Sequence, residues 1–124
     1  MKTLIAIAVA GTLAGFTAQA GEEHKHDEHA AATTIQGEVV DLFCYVGHEA
    51  KGAGHANCAK KCIESGLPVG VLTAEGKIYL AAGDHVPMNK ELAKHAAQQV
   101  KATGKVSSRD GVNLIEISKL EVVK

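Results

Sequence analysis

The chain has 124 residues, and its 13 lysines and arginines against 14 aspartates and glutamates give a formal net charge of −1 at pH 7. A nearly neutral chain lacks the basic surface on which nucleic-acid binding depends, which argues against that class of protein. Aromatic residues make up only 3% of the sequence, too few for a platform on which bases stack. The informative feature is the presence of three cysteines and seven histidines in so small a protein.

Residues 1–20 have the pattern of a cleavable secretory signal. Lys2 supplies the positive start, residues 4–16 are an apolar run, and Ala18-Gln19-Ala20 is a small-x-small cleavage site. The run is too short, and too interrupted by glycines, for a membrane span. We therefore expect a periplasmic or secreted protein that is cleaved near Ala20 and has no membrane span.

Residues 21–34 are predicted to form a disordered, histidine-rich tail, because their charged and polar side chains offer nothing to bury. His24, His26 and His29 form an H-x-H-x2-H pattern that can bind copper(II), zinc or nickel weakly. The alternative is that this segment is only a solubilising linker.

From Ile35 onward, short apolar runs alternate with glycines, which is typical of a mainly β domain over 35–124. The first run predicts a strand over 35–46, and the glycines of 47–54 predict a loop. A short helix should follow over 58–65, capped by Asn57 and ended by Gly66. The later predicted elements are strands over 69–72 and 78–80, a helix over 90–97 capped by Asn89, and strands over 100–107 and 112–123 joined by an Asp110-Gly111 turn.

This order predicts a five-stranded barrel with a helical insertion after the first strand and a helix between the third and fourth strands. The runs 36–41 and 100–106 resemble the first and fourth strands of small exported bacterial domains with the oligonucleotide/oligosaccharide-binding (OB) fold. The resemblance covers 33–124 and departs from the usual OB pattern by the cysteine-bearing insertion at 44–66. OB-like barrels bind many kinds of ligand, so the resemblance does not supply the function.

The cysteines and two histidines predict a metal site. Cys58 and Cys62 are one helical turn apart, so both thiols emerge on one face. Cys44 is expected at the end of the first strand, where a single fold-back of the chain brings it against them. Three thiolates and the imidazole of His55, with His48 as the substitute ligand, would close a tetrahedral zinc site, whereas two or three thiolates suit copper(I). We therefore predict one bound ion, either copper(I) or zinc.

Two other interpretations of the cysteines stay open. Exported cysteines usually form disulfides, and a bridge from Cys44 to Cys58 or Cys62 would fix the insertion to the barrel of a non-enzymatic envelope interaction module. The odd number of cysteines would then leave one thiol unpaired. The third interpretation is a thiol oxidoreductase with Cys58, in the first helical turn, as its nucleophile.

The predicted function is metal storage, delivery or resistance in the periplasm, without enzymatic activity. No glycine-rich phosphate loop, serine nucleophile elbow or acid–base pair is found in the sequence, so no catalytic residue is predicted. The expected partners are the ion itself and an envelope protein that exchanges it, and no nucleic acid.

Overall fold

The computed structural model describes residues 31–124. The predicted signal sequence and His24, His26 and His29 lie outside the described residues. Within 31–124, no helix is both long and apolar enough to cross a membrane. The strands of the described part are β1 (Thr33–Asp41), β2 (Val69–Leu72), β3 (Ile78–Ala82), β4 (Gln99–Arg109) and β5 (Val112–Val122). Its helices are α1 (Leu42–His48), α2 (Ala56–Glu64) and α3 (Asn89–Leu92), with 3-10 turns at Ala53–His55 and Ala93–His95.

The strands close into a barrel in the order β1-β2-β3-β5-β4, and β4 pairs back onto β1. Every pairing is antiparallel except that of β3 with β5. Alternate residues of each strand face inward, because successive side chains of a strand point to opposite faces. The fold class predicted from the sequence, a five-stranded OB-like barrel with helical insertions, is confirmed. Its buried core includes Val39, Val71, Val100, Ala102 and Ile115.

Strand β1 changes partner halfway along its length. Residues 33–38 pair with β4, and residues 38–41 pair with β2. Gly37 lies at this change, where a side-chain Cβ would come within 2.3 Å of the backbone carbonyl oxygen of Leu72. The close approach of the two backbones therefore requires glycine at this position.

The first strand is shorter than predicted. It ends at Asp41 rather than at Val46, because the Asp41 carboxylate accepts a hydrogen bond from the backbone N–H of Cys44 at 2.8 Å and caps α1. The predicted strand residues 42–46 and the first two residues of the predicted loop are thus helical. Cys44 lies in the first turn of α1, not at the end of a strand.

Helix α2 covers the barrel with its apolar stripe. Ala59 and Ile63, one turn apart, are buried in the same core cluster as Leu92 of α3 and Ala93 of the turn that follows it. The stripe formed by Cys58 and Cys62 is rotated by about 100° from this buried stripe. Packing of α2 on the core therefore fixes the direction in which both thiols point.

Two predicted helix caps are wrong. His55, not Asn57, stands at the N-cap position of α2, because the 3-10 turn before it leads directly into the helix. Asn89 is the first residue of α3 rather than its cap, and α3 is shorter than predicted. The Asn89 side chain instead donates to the carbonyl oxygens of Ile63 and Leu67, at 2.9 and 2.8 Å, at the end of α2. The predicted stop at Gly66 is confirmed by its positive φ of 98°.

Candidate metal centre

Two overlapping groups of side chains that could hold a metal ion lie where the inserted helices meet the end of β1. The first group consists of Cys44, His55 and Cys58, whose ligand atoms lie within 4.8 Å of one another. The second group consists of Asp41, Cys44 and Cys62, within the same limit. Cys44 belongs to both groups, so its sulfur lies within reach of each of the two cysteines on α2.

The cluster extends from the surface into the core. Cys58 is exposed, whereas Cys44 and Cys62 are half-buried. The His55 side chain is 19% exposed, and the Asp41 side chain is completely buried. An ion entering from solvent would therefore meet Cys58 first and Asp41 last.

Asp41 connects the two groups through its two carboxylate oxygens. Oδ1 accepts from the backbone N–H of Cys44 at 2.8 Å, and Oδ2 lies 3.1 Å from Nε2 of His55. An ionised carboxylate can only accept hydrogen bonds, so Nε2 of His55 carries the proton of this contact. The lone pair of a neutral His55 is then on Nδ1, which is the arrangement that carboxylates impose on metal-binding histidines.

Sequence reasoning missed Asp41 as a member of the site. Its signal is an aspartate directly before a segment that can form a helix, which is the pattern of an N-cap. An apolar run on both sides of Asp41 hides this signal, because that run resembles a continuous strand.

Burial and negative neighbours favour the protonated thiols at the centre of the cluster. Burial, a hydrogen bond to the Asp41 carboxylate and the negative charge of Asp41 raise the pKa of Cys44 to about 12. Burial also raises the pKa of Cys62, and its hydrogen bond with Cys44 only partly offsets this effect. The thiols of Cys44 and Cys62 both keep their protons at neutral pH, so a metal ion has to displace these protons in order to bind.

The donor set suits a soft or borderline ion. All three cysteines are free thiols in the structure. Zinc–sulfur bonds of about 2.3 Å place the sulfurs of a tetrahedral site roughly 3.8 Å apart. Each group, with its ligand atoms within 4.8 Å, could therefore close on an ion through small rotations of side chains.

His48, the predicted substitute ligand, stands apart from these groups. It lies in the last turn of α1 and is exposed. Among residues 31–124, neither group that could hold a metal ion includes it.

Comparisons of the chain with protein-family models, with curated proteins and with solved structures give no match.

Proposed function

We propose that this protein is an exported, non-enzymatic metal-binding protein that stores, delivers or sequesters one copper(I) or zinc ion. Cys44, Cys58 and Cys62 are the proposed thiolate ligands, and His55 is the imidazole ligand. The observation that carries the proposal is the convergence of Cys44, His55 and Cys58, from three different parts of the insertion, to within 4.8 Å.

The surroundings of these residues support a site for metal rather than an accidental contact. Asp41 is buried, yet it is hydrogen-bonded on both oxygens, one of them to His55. A carboxylate that fixes the ring of a histidine ligand is a regular feature of metal sites. The exposure of Cys58 gives an ion a route from solvent.

Export and ion collection are parts of the proposal that rest on the sequence alone. The signal pattern of residues 1–20 supports a periplasmic or secreted location. His24, His26 and His29 would collect ions weakly before the barrel binds them. An envelope protein that exchanges the ion is the proposed partner.

The test is elemental analysis combined with a thiol count on protein purified anaerobically after export to the periplasm. Wild-type protein should carry close to one equivalent of copper or zinc, with its thiols protected from alkylation. His55→Ala should retain less metal than wild type. The matched control is His85→Ala, because His85 is an exposed histidine whose side chain is 89% accessible. Metal-free wild-type protein in which every thiol is reactive would end the proposal.

The same proximity supports a second candidate, an envelope interaction module with a structural disulfide. The sulfur of Cys44 lies within 4.8 Å of that of Cys58 and of that of Cys62, so oxidation could join either pair. Mass spectrometry of the non-reduced protein distinguishes the candidates. A loss of two mass units with one alkylatable thiol favours the disulfide module.

A further inference from the structure

The two ligand groups differ in composition and in depth. Cys44, His55 and Cys58 form the outer position, which includes the exposed thiol. Cys44, Cys62 and Asp41 form the inner position, which includes the fully buried carboxylate. Cys44 is the single residue common to both positions.

The two groups differ in which cysteine of α2 accompanies Cys44, since neither set of ligand atoms within 4.8 Å contains both Cys58 and Cys62. The thiols of Cys58 and Cys62 are hydrogen-bonded to each other, so the two groups adjoin. A closed zinc site needs four ligands at once, whereas each group offers three. Copper(I) prefers thiolates and is held by fewer of them, so each pair of thiolates that includes Cys44 can bind it separately.

We infer, on the basis of the proposed function, that the ion is copper(I) and that it passes between the outer and the inner position while staying bound to Cys44. Cys58 is the ligand of entry and release. Cys62 is the ligand of retention. The two sulfurs are one turn apart on α2, so the ion moves by only a few ångströms, within roughly the 5.4 Å pitch of the helix.

The transfer is an exchange of ligands without a change of oxidation state. The copper–sulfur bond to Cys58 breaks as the copper–sulfur bond to Cys62 forms. Cys62 loses its proton to water in this step, and the Cys58 thiolate takes a proton from water. The ion stays copper(I), and the bond to Cys44 is kept throughout.

The charge of Asp41 favours the inner position for a cation. Its carboxylate is fully buried, and its Oδ2 atom lies 3.1 Å from Nε2 of the His55 imidazole. Burial of a carboxylate is costly unless it is well paired. A copper(I) ion beside Cys62 supplies positive charge close to this carboxylate, whereas an ion at the outer position lies closer to solvent.

The test compares Cys58→Ser with Cys62→Ser, which make the same substitution one turn apart on the same helix. The copper(I) affinity and the rates of loading and release are measured anaerobically by stopped-flow competition with a bathocuproine-type chelator. Cys58→Ser should slow both loading and release by about tenfold or more, and it should weaken the affinity less than Cys62→Ser does. Cys62→Ser should weaken the affinity by about tenfold or more and speed release. Thermal unfolding of the metal-free Cys58→Ala and Cys62→Ala proteins checks that the barrel remains folded without either thiol.

The outcomes distinguish failure of the two-position inference from failure of the proposed metal-binding function. Equal losses of affinity in both variants, with loading unchanged, would mean a single closed site and would overturn the two-position inference alone. A wild type that retains zinc more tightly than copper(I) would also overturn this inference and leave metal binding intact. A wild type that binds neither ion would overturn the proposed function itself.

Discussion

Nε2 of His55 lies 3.1 Å from the Oδ2 atom of Asp41, although 14 positions separate the two residues in the sequence. Asp41 is the last residue of β1 and the N-cap of α1, and His55 occupies the N-cap position of α2. This contact therefore joins the end of the barrel strand to the start of the helix that carries Cys58 and Cys62.

Asp41→Asn should weaken metal binding by about 10- to 100-fold, which is the usual effect of losing a hydrogen-bonding partner that orients a metal ligand. The amide oxygen can still accept from the backbone N–H of Cys44, but the amide N–H₂ cannot accept from His55. The His55 proton should therefore move from Nε2 to Nδ1. Competition with a chelator measures the affinity, and two-bond ¹H–¹⁵N NMR spectra report the tautomer.

The control for this variant is Asp84→Asn, since Asp84 is an aspartate whose side chain is 90% exposed. It should change neither the affinity nor the tautomer of His55. An Asp41→Asn protein with wild-type affinity and an unchanged His55 tautomer would show that Asp41 acts only as a helix cap.

Metal affinity should rise steeply with pH. Burial and Asp41 raise the pKa of Cys44 to about 12, and burial raises the pKa of Cys62. Each thiol that becomes a ligand releases a proton, so the logarithm of the affinity for an ion held by Cys44 and Cys62 should increase by roughly two per pH unit near neutrality. Competition titrations at several pH values, with proton release into weak buffer, test this. An affinity independent of pH would indicate that the ion is not held by these thiols.

The metal-free protein should lose stability in alkaline solution. The folded protein holds the pKa of Cys44 at about 12, above the value of about 8.5 in an unfolded chain. The folded state therefore favours the neutral thiol, and this contribution is complete below about pH 8.5 and is lost as the pH rises through 12. Urea unfolding at increasing pH measures the decline.

Lysines and tyrosines also titrate in this range, so Cys44→Ser provides the comparison. The serine variant should show a shallower decline than wild type, because it lacks the thiol. Identical declines in the two proteins would contradict the role assigned to Cys44.

Gly37→Ala should destabilise the barrel by about 1–3 kcal/mol, because overpacking against backbone cannot be relieved by rotating a side chain. The added Cβ would lie 2.3 Å from the carbonyl oxygen of Leu72. Gly47→Ala is the matched control. Gly47 lies in α1 with nothing within 4 Å of its added Cβ, so alanine should raise the stability by about 0.5–1 kcal/mol. Chemical unfolding of both variants measures whether each substitution lowers or raises the free energy of unfolding. The prediction is refuted if Gly47→Ala destabilises the protein and Gly37→Ala does not.

The sequence predicts the barrel well because its signals are local. Alternating apolar residues mark β4 and β5, and Asp110-Gly111 has the positive φ angles, 50° and 85°, of a tight hairpin turn. The boundary between β1 and α1 is harder to predict. A short apolar run without a clear period fits a strand or a helix equally well, and the Asp41 cap decides between them.

The cluster is predicted only in part. The spacing of Cys58 and Cys62 correctly predicts a shared helical face, because that relationship lies within one helix. Cys44 does approach them, but from the first turn of α1 rather than from the end of a strand. Asp41 was missed because the apolar run around it hides its N-cap pattern, and because its contact with His55 depends on how two helices pack.

One carboxylate thus ends a strand, starts a helix and orients an imidazole. Serine or threonine would serve equally well for the first two roles, since both are good helix caps, but neither provides a buried negative charge for the ring. Under the proposed function, a homologue that does not bind an ion could keep the whole barrel with a hydroxyl at position 41. The residue at that position would then distinguish homologues that bind the ion from those that do not.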